Sequence, residues 1–178
     1  RLSDDLAAIR EVRKGAGEDS LLMVDFNQGL LLGDALNRCH ALDDQGLYWF
    51  EEPIAYDNIA GYAQLTRELD TPVQLGENFY GPRDMHQAIA AGAGDYVMPD
   101  LMRIGGITGW MRSAAIAGAA WLPLSSQLYT GLSAQLLRVI ESENAERKML
   151  DSDPTENDKA PDDQGMKYSR HRAIADDA

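Results

Sequence analysis

The segment YWFEEPIAYDNIAGYAQLTRELDTPVQLGEN occupies residues 48–78 and contains one complete strand–helix–strand pattern. Short apolar runs at residues 48–50 and 73–75 flank a segment, 58–69, whose apolar residues recur at spacings of three and four. A helix that joins two short strands is typical of a βαβ unit, in which the strands lie parallel. Each strand is followed by a carboxylate, Glu51 after the first and Glu77 after the second.

The same alternation continues on both sides of this segment. Apolar runs predict further strands at residues 21–26, 96–98 and 121–124, and helical periodicity predicts helices at 3–14, 30–45, 82–91 and 108–119. Strands that alternate with helices of this length predict an α/β fold whose parallel sheet, open or closed, is covered on both faces.

The segment after about residue 139 has a different composition. It is rich in Asp and Glu and has almost no apolar periodicity. Such a segment cannot bury enough apolar surface to fold by itself. We therefore divide the chain into a catalytic-type α/β domain, residues 1–140, and an acidic tail, residues 141–178, that is predicted to be disordered.

Charge and cysteine content narrow the classes of function. The net charge of −13 argues against nucleic acid or an anionic membrane as a partner, because the field of the protein would repel both. Cys39 is the only cysteine, so the sequence has no disulfide or cysteine-based zinc framework. A cytoplasmic protein that binds small molecules or cations, and that could form a homo-oligomer, fits these features best.

Four carboxylates stand at the ends of four successive predicted strands, and they are Asp25, Glu51, Glu77 and Asp100. They are 26, 26 and 23 residues apart, about one βα unit each, so they converge on one face of the sheet. Any one of them alone would be an ordinary turn or cap residue, but their repetition favours a shared site. Crowded carboxylates repel one another unless a cation neutralises them, and oxygen ligands without His or Cys favour Mg²⁺ over zinc.

Five motifs resemble those of a known family, in the same order and at the same spacing. They are VDFNQ (24–28), WFEEP (49–53), VQLGENF (73–79), MPDLMRIGGITGW (98–110) and PLSSQLY (123–129). Together they resemble the strand-end motifs of the mandelate racemase and muconate-lactonizing branch of the enolase superfamily, over about residues 2–140. The resemblance implies a partial (β/α)8 TIM-type barrel of about five βα units, since 178 residues are fewer than the about 250 of a complete barrel.

The same resemblance implies roles for individual residues. Asp25, Glu51 and Glu77 would be the Mg²⁺ ligands, Asn27 would bind substrate beside them, and Asp100 would be half of an acid/base dyad. The implied chemistry is the removal of the proton next to a carboxylate, as in racemases and dehydratases of hydroxy or sugar acids. The substrate would be a small-molecule carboxylate.

Gln127 departs from the family pattern. It stands in SSQ where racemase-like members have a His, and an amide does not titrate near neutral pH. Gln127 therefore occupies a catalytic position without being a base, and Asp100 is expected to orient a neutral polar contact instead. The family's lysine base would lie before residue 1.

Three functional hypotheses remain open. The first is an Mg²⁺-dependent lyase or isomerase of which this chain is a portion, with a dehydratase favoured over a two-base racemase. The second is a catalytically inactive remnant that binds a divalent metal or a partner. A metal-dependent hydrolase ranks last, because no histidine stands at a strand end.

Overall fold

The structure is a computed structural model that describes residues 2–17 and 19–151. By its backbone contacts the chain divides into two units, Arg1–Glu141 and Ser142–Ala178, and the sheet lies in the first. The strands are β1 (Met23–Asp25), β2 (Trp49–Glu51), β3 (Val73–Leu75) and β4 (Tyr96–Val97). The helices are α1 (Leu2–Ala16), α2 (Leu32–Leu42), α3 (Ile59–Glu68), α4 (Pro82–Ala90), α5 (Gly106–Ala119) and α6 (Thr130–Asp151).

The four strands form one parallel sheet in the order β1-β2-β3-β4. Each pair of neighbours is joined by a helix, α2, α3 or α4, which is the βαβ connection that the sequence predicts. The predicted parallel α/β fold is therefore confirmed. Among the described residues, no helix is long and apolar enough to cross a membrane.

The core lies between the sheet and the helices that pack against it. Phe50, Val73 and Leu75 point from the strands into this layer and are fully buried, and Tyr62 and Trp110 meet them from α3 and α5. Because successive strand residues point to opposite faces, the residues between these apolar ones point to the other face of the sheet, which we call the interior face. At the carboxyl ends of the strands this face carries polar residues.

Local signals fix where the helices begin. The Asn58 side chain accepts a hydrogen bond from Gly61 N at 3.1 Å and caps α3. Gly81, at φ 83°, precedes Pro82, the first residue of α4, where the missing N–H of proline costs nothing. The predicted helix ends differ from those observed by at most three residues. At the start of α2 the difference arises because Leu30 instead pairs with Ile54 beside the sheet.

The predicted fifth strand, residues 121–124, is wrong as a strand and is reduced to a bridge. Only Leu124 pairs, with Val97 of β4. The N–H groups of Trp121 and Leu122 donate to carbonyls at the end of α5, and Pro123 has no N–H to give. Trp121 also lies at φ 58° and is 79% exposed. The backbone therefore joins the sheet only from the carbonyl of Pro123, which accepts a hydrogen bond from Val97 N at 3.1 Å.

Helix α6 was not predicted. It runs to Asp151, so the boundary predicted after residue 140 falls inside it. The rest of the predicted disordered tail, residues 152–178, lies outside the described residues.

Candidate metal centre

Asp25 and Glu51 occupy equivalent positions on neighbouring strands. Each is the last residue of its strand, and their Cα atoms are register partners in the β1–β2 pair. Partners in a parallel pair lie about 4.8 Å apart and point to the same face. Asp25 is exposed and Glu51 is half-buried, so solvent reaches both carboxylates at the interior face of the sheet.

Glu77 joins them from the next strand. It follows β3 by two residues and comes after Gly76, whose φ of 128° turns the chain at this strand end. Its Oε2 accepts a hydrogen bond from Gln127 Nε2 at 2.5 Å, and its Oε1 accepts one from Asn78 Nδ2 at 3.2 Å. The structure thus places three of the predicted carboxylates at the ends of three adjacent strands.

The pKa of the Glu51 carboxyl is raised by this environment. Burial is the largest cause, the hydrogen bond from Trp49 Nε1 at 3.1 Å opposes it, and the negative charges of Asp25 and Glu77 raise the pKa further. The charges of Asp25 and Glu77 are therefore close enough to act on the Glu51 carboxyl. A cation between them would remove that repulsion.

The donor set suits a hard cation, because all three groups offer carboxylate oxygens. In the described part of the chain, however, no three His, Cys, Asp or Glu side chains gather closely enough to hold a metal ion. Each carboxylate instead accepts a hydrogen bond from a neighbour. Asn27 donates to Asp25 through its backbone N–H at 2.7 Å and its Nδ2 at 2.6 Å, while Trp49 and Gln127 donate to the other two. The strand ends converge, and a cation would have to compete with these donors for the side chains.

Asp100 and Gln127 meet through their backbones but not through their side chains. They form a parallel bridge beside β4. Asp100 is 5% exposed, and its Oδ1 accepts hydrogen bonds from Met102 N at 2.8 Å and Arg103 N at 2.9 Å. The Gln127 amide reaches Glu77 instead. Asp100 therefore caps the turn before α5, and the contact of Gln127 is with a predicted metal ligand.

Glu52 was missed by the sequence reasoning. It is 1% exposed, and burial raises the pKa of its carboxyl to about 7 against the opposing hydrogen bond from Asn78. The signal was present in the doublet of the FEEP motif. Glu52 follows Glu51, the last residue of β2, and its φ of 35° turns the chain out of the strand, so the two adjacent carboxylates lie in different surroundings.

The chain matches the family model for the enolase C-terminal domain-like family over residues 1–173. The chain belongs to this family. The match extends beyond residues 2–140, to which the motifs had limited the resemblance.

Among curated relatives, the L-talarate/galactarate dehydratase of Salmonella typhimurium is 35% identical over 115 residues, which are 65% of this chain and 29% of that enzyme. Other relatives are named as cycloisomerases, epimerases and racemases, which confirms the predicted branch.

Two solved structures have the same fold in this region. An enolase from the alphaproteobacterium bal199, with bound magnesium, is 53% identical with a TM-score of 0.78. An enolase from Bradyrhizobium, complexed with magnesium and mandelic acid, is 44% identical with a TM-score of 0.76. Each alignment covers 79% of this chain and 39% of the other. The chain thus spans about two fifths of the length of these enolase-family proteins.

Proposed function

We propose that this chain binds Mg²⁺ on Asp25, Glu51 and Glu77 and takes part in removing the proton next to the carboxylate of a hydroxy or sugar acid. One observation carries the proposal. Asp25 and Glu51 end neighbouring strands in register, and Glu77 follows the next strand closely enough for its charge to raise the Glu51 pKa. The magnesium of two solved enolases of similar sequence supports the identity of the ion.

Bound at this position, the ion would supply positive charge to the substrate carboxylate, where negative charge develops when the neighbouring proton leaves. The protein's own residues would orient the substrate. Asn27 is exposed at the end of β1, and its amide already donates to Asp25. We assign it to the binding of a substrate hydroxyl or carboxylate beside the ion.

The reaction type follows from Gln127. An amide neither gives nor takes a proton near neutral pH, so this position cannot return a proton to the second face of the substrate. Asp100 Oδ1 accepts hydrogen bonds from two backbone N–H groups, and the Gln127 amide donates to Glu77 instead of to Asp100. Dehydration, in which a single base removes the α-proton and the β-hydroxyl takes up a proton and leaves as water, needs no second group on the opposite face and therefore fits better than a two-base racemisation. The S. typhimurium dehydratase among the relatives is consistent with this choice.

A second candidate is metal binding without turnover. The observation in its favour is the hydrogen bond from Gln127 Nε2 to Glu77 Oε2. The residue at the dyad position thus contacts a proposed metal ligand and does not transfer protons. Under either candidate we expect small-molecule partners, a cytoplasmic location, and the capacity to form a homo-oligomer.

Calorimetric titration with galactarate or mandelate tests the proposal. We expect saturable binding of at least one acid in the presence of Mg²⁺ and no binding with EDTA. Equal binding under both conditions would contradict a metal-mediated carboxylate site. Loss of the α-proton signal in D₂O, followed by NMR on the full-length protein, then separates the two candidates, because only proton abstraction exchanges that proton.

A further inference from the structure

Glu52 is buried next to Glu51 and contacts the turn that carries Glu77. Its backbone lies at φ 35° and its side chain is 1% exposed. One carboxylate oxygen accepts a hydrogen bond from Gly76 N at 3.4 Å, and the other accepts one from Asn78 Nδ2 at 2.5 Å. These two donors are the residues on either side of Glu77. The carboxylate of Glu52 therefore holds both ends of the short turn that carries Glu77.

Arg103 contacts the same turn from the segment after β4. Its Nη1 donates to Asn78 Oδ1 and to the backbone carbonyl of Glu77, the latter at 3.4 Å. Its own backbone N–H donates to Asp100 Oδ1 at 2.9 Å, which fixes the start of the Arg103 segment after β4. Asn78 thus lies between Glu52 and Arg103 and bonds to both.

We infer that Glu52, Asn78 and Arg103 form a positioning network that sets the place of Glu77 for the cation. The network joins the ends of β2, β3 and β4, so it fixes the spacing between successive carboxylates. This inference rests on the proposed metal site and adds residues that do not touch the ion. Partners of metal ligands commonly change metal affinity about 10- to 100-fold when they are replaced.

The test compares substitutions at the two ends of the network in the 178-residue chain. Glu52→Leu removes both acceptor oxygens, Glu52→Gln keeps one at the same size, and Arg103→Met removes the exposed donor. Glu68→Gln, on the exposed surface of α3, is the control with the same substitution as Glu52→Gln. Two quantities are measured for each variant, the Kd for Mg²⁺ by calorimetry and the rise in Tm when Mg²⁺ replaces EDTA.

We expect Glu52→Leu to raise the Kd for Mg²⁺ about tenfold and Arg103→Met to raise it by a smaller factor. Glu52→Gln should keep most of the affinity that Glu52→Leu loses. The Mg²⁺-dependent rise in Tm should shrink in the same order, since it depends on the affinity of the folded state alone. A purely structural role would lower Tm equally with Mg²⁺ and with EDTA and leave the rise unchanged.

Unchanged Kd in Glu52→Leu and Arg103→Met would overturn the network. If Glu52→Leu fails to fold, Arg103→Met decides by itself, because Arg103 is exposed and its removal leaves the core intact. Failure of the unsubstituted, folded chain to bind Mg²⁺ would instead overturn the metal site proposed above, and this result is distinct from the first.

Discussion

Gly76 determines the direction in which the chain leaves β3 toward Glu77. Its φ of 128° is a conformation that L side chains rarely adopt, and a Cβ at this position would lie 3.1 Å from Met98 N and 3.3 Å from Met98 O. Both neighbouring atoms belong to the backbone after β4, so they cannot rotate away. The close approach of two strand ends therefore requires glycine here.

Replacing Gly76 with Ala should lower the free energy of unfolding by about 1–3 kcal/mol, through backbone strain and the contact with Met98. Urea denaturation measures this loss. Gly118→Ala in α5 is the matched control, because a Cβ there meets nothing within 4 Å. The control should change stability by less than about 1 kcal/mol, in the stabilising direction. A Gly76→Ala variant as stable as the control would contradict the close packing at this strand end.

At this scale the sequence predicts positions better than contacts. The regular spacing of Asp25, Glu51, Glu77 and Asp100 sufficed to place all four at strand ends. The partner of Gln127 could not be derived in this way. The spacing does not specify whether its amide meets Asp100 or Glu77; in the structure the amide donates to Glu77 Oε2, while Asp100 Oδ1 accepts hydrogen bonds from two backbone N–H groups.

At the scale of single elements, α3 depends on one capping side chain. Asn58 Oδ1 accepts a hydrogen bond from Gly61 N, one of the N–H groups that a helix start leaves without a partner. Asn58→Ala should lower the free energy of unfolding by about 1 kcal/mol, whereas Asn58→Asp should keep most of it, since aspartate is an equally good cap. Thermal unfolding followed by circular dichroism measures both variants. Equal losses in the two would show that the cap bond is not the source of the stability.

Helices and strands differ in how well periodicity predicts them here. The helices between strands were recovered because their apolar spacing reflects the face that packs on the sheet. The segment at residues 121–124 is apolar, yet its first two N–H groups complete the end of α5 and Pro123 offers none. The predicted fifth strand is absent because these N–H groups donate to carbonyls of α5 instead of to β4. An apolar pattern does not show which acceptor a backbone N–H group will use.

At the scale of the whole molecule, Cys39 reports on whether the core is formed. Its side chain, in α2, is fully buried. Burial is the largest cause that raises the pKa of the thiol to about 12; the negative charge of Asp43 adds to it, and the positive charge of Arg38 opposes it. In the native chain at pH 8 a thiol reagent should label Cys39 at least about 100-fold more slowly than in urea, because the thiolate is both scarce and shielded.

Similar labelling rates with and without urea would contradict a closed core around α2.

The raised pKa of the Cys39 thiol also makes the stability of the fold depend on pH. The folded thiol has a higher pKa than the ordinary value of 9.0, so the folded chain binds more protons above that pH. Stability contributed in this way is present below pH 9.0 and should decrease as the pH rises toward 12.

The part of the chain that the structure describes combines a repeating βα pattern with one converging set of strand ends. The parallel order β1-β2-β3-β4 followed from the repeat, since consecutive βαβ units usually place successive strands side by side. Helix α6 did not follow, because much of it lies in the acidic segment that lacks the periodicity of the other helices.

The central claim is that Asp25, Glu51 and Glu77 together hold Mg²⁺. Calorimetric titration of the 178-residue chain with Mg²⁺, beside the isosteric variant Asp25→Asn/Glu51→Gln/Glu77→Gln, tests it most directly. A variant with the same loss of charge at exposed positions, Glu11→Gln/Asp34→Asn/Glu68→Gln, serves as the control. We predict saturable binding in the parent and the control and none in the strand-end variant. Equal binding by all three, or no binding by a parent that circular dichroism shows to be folded, would contradict the account.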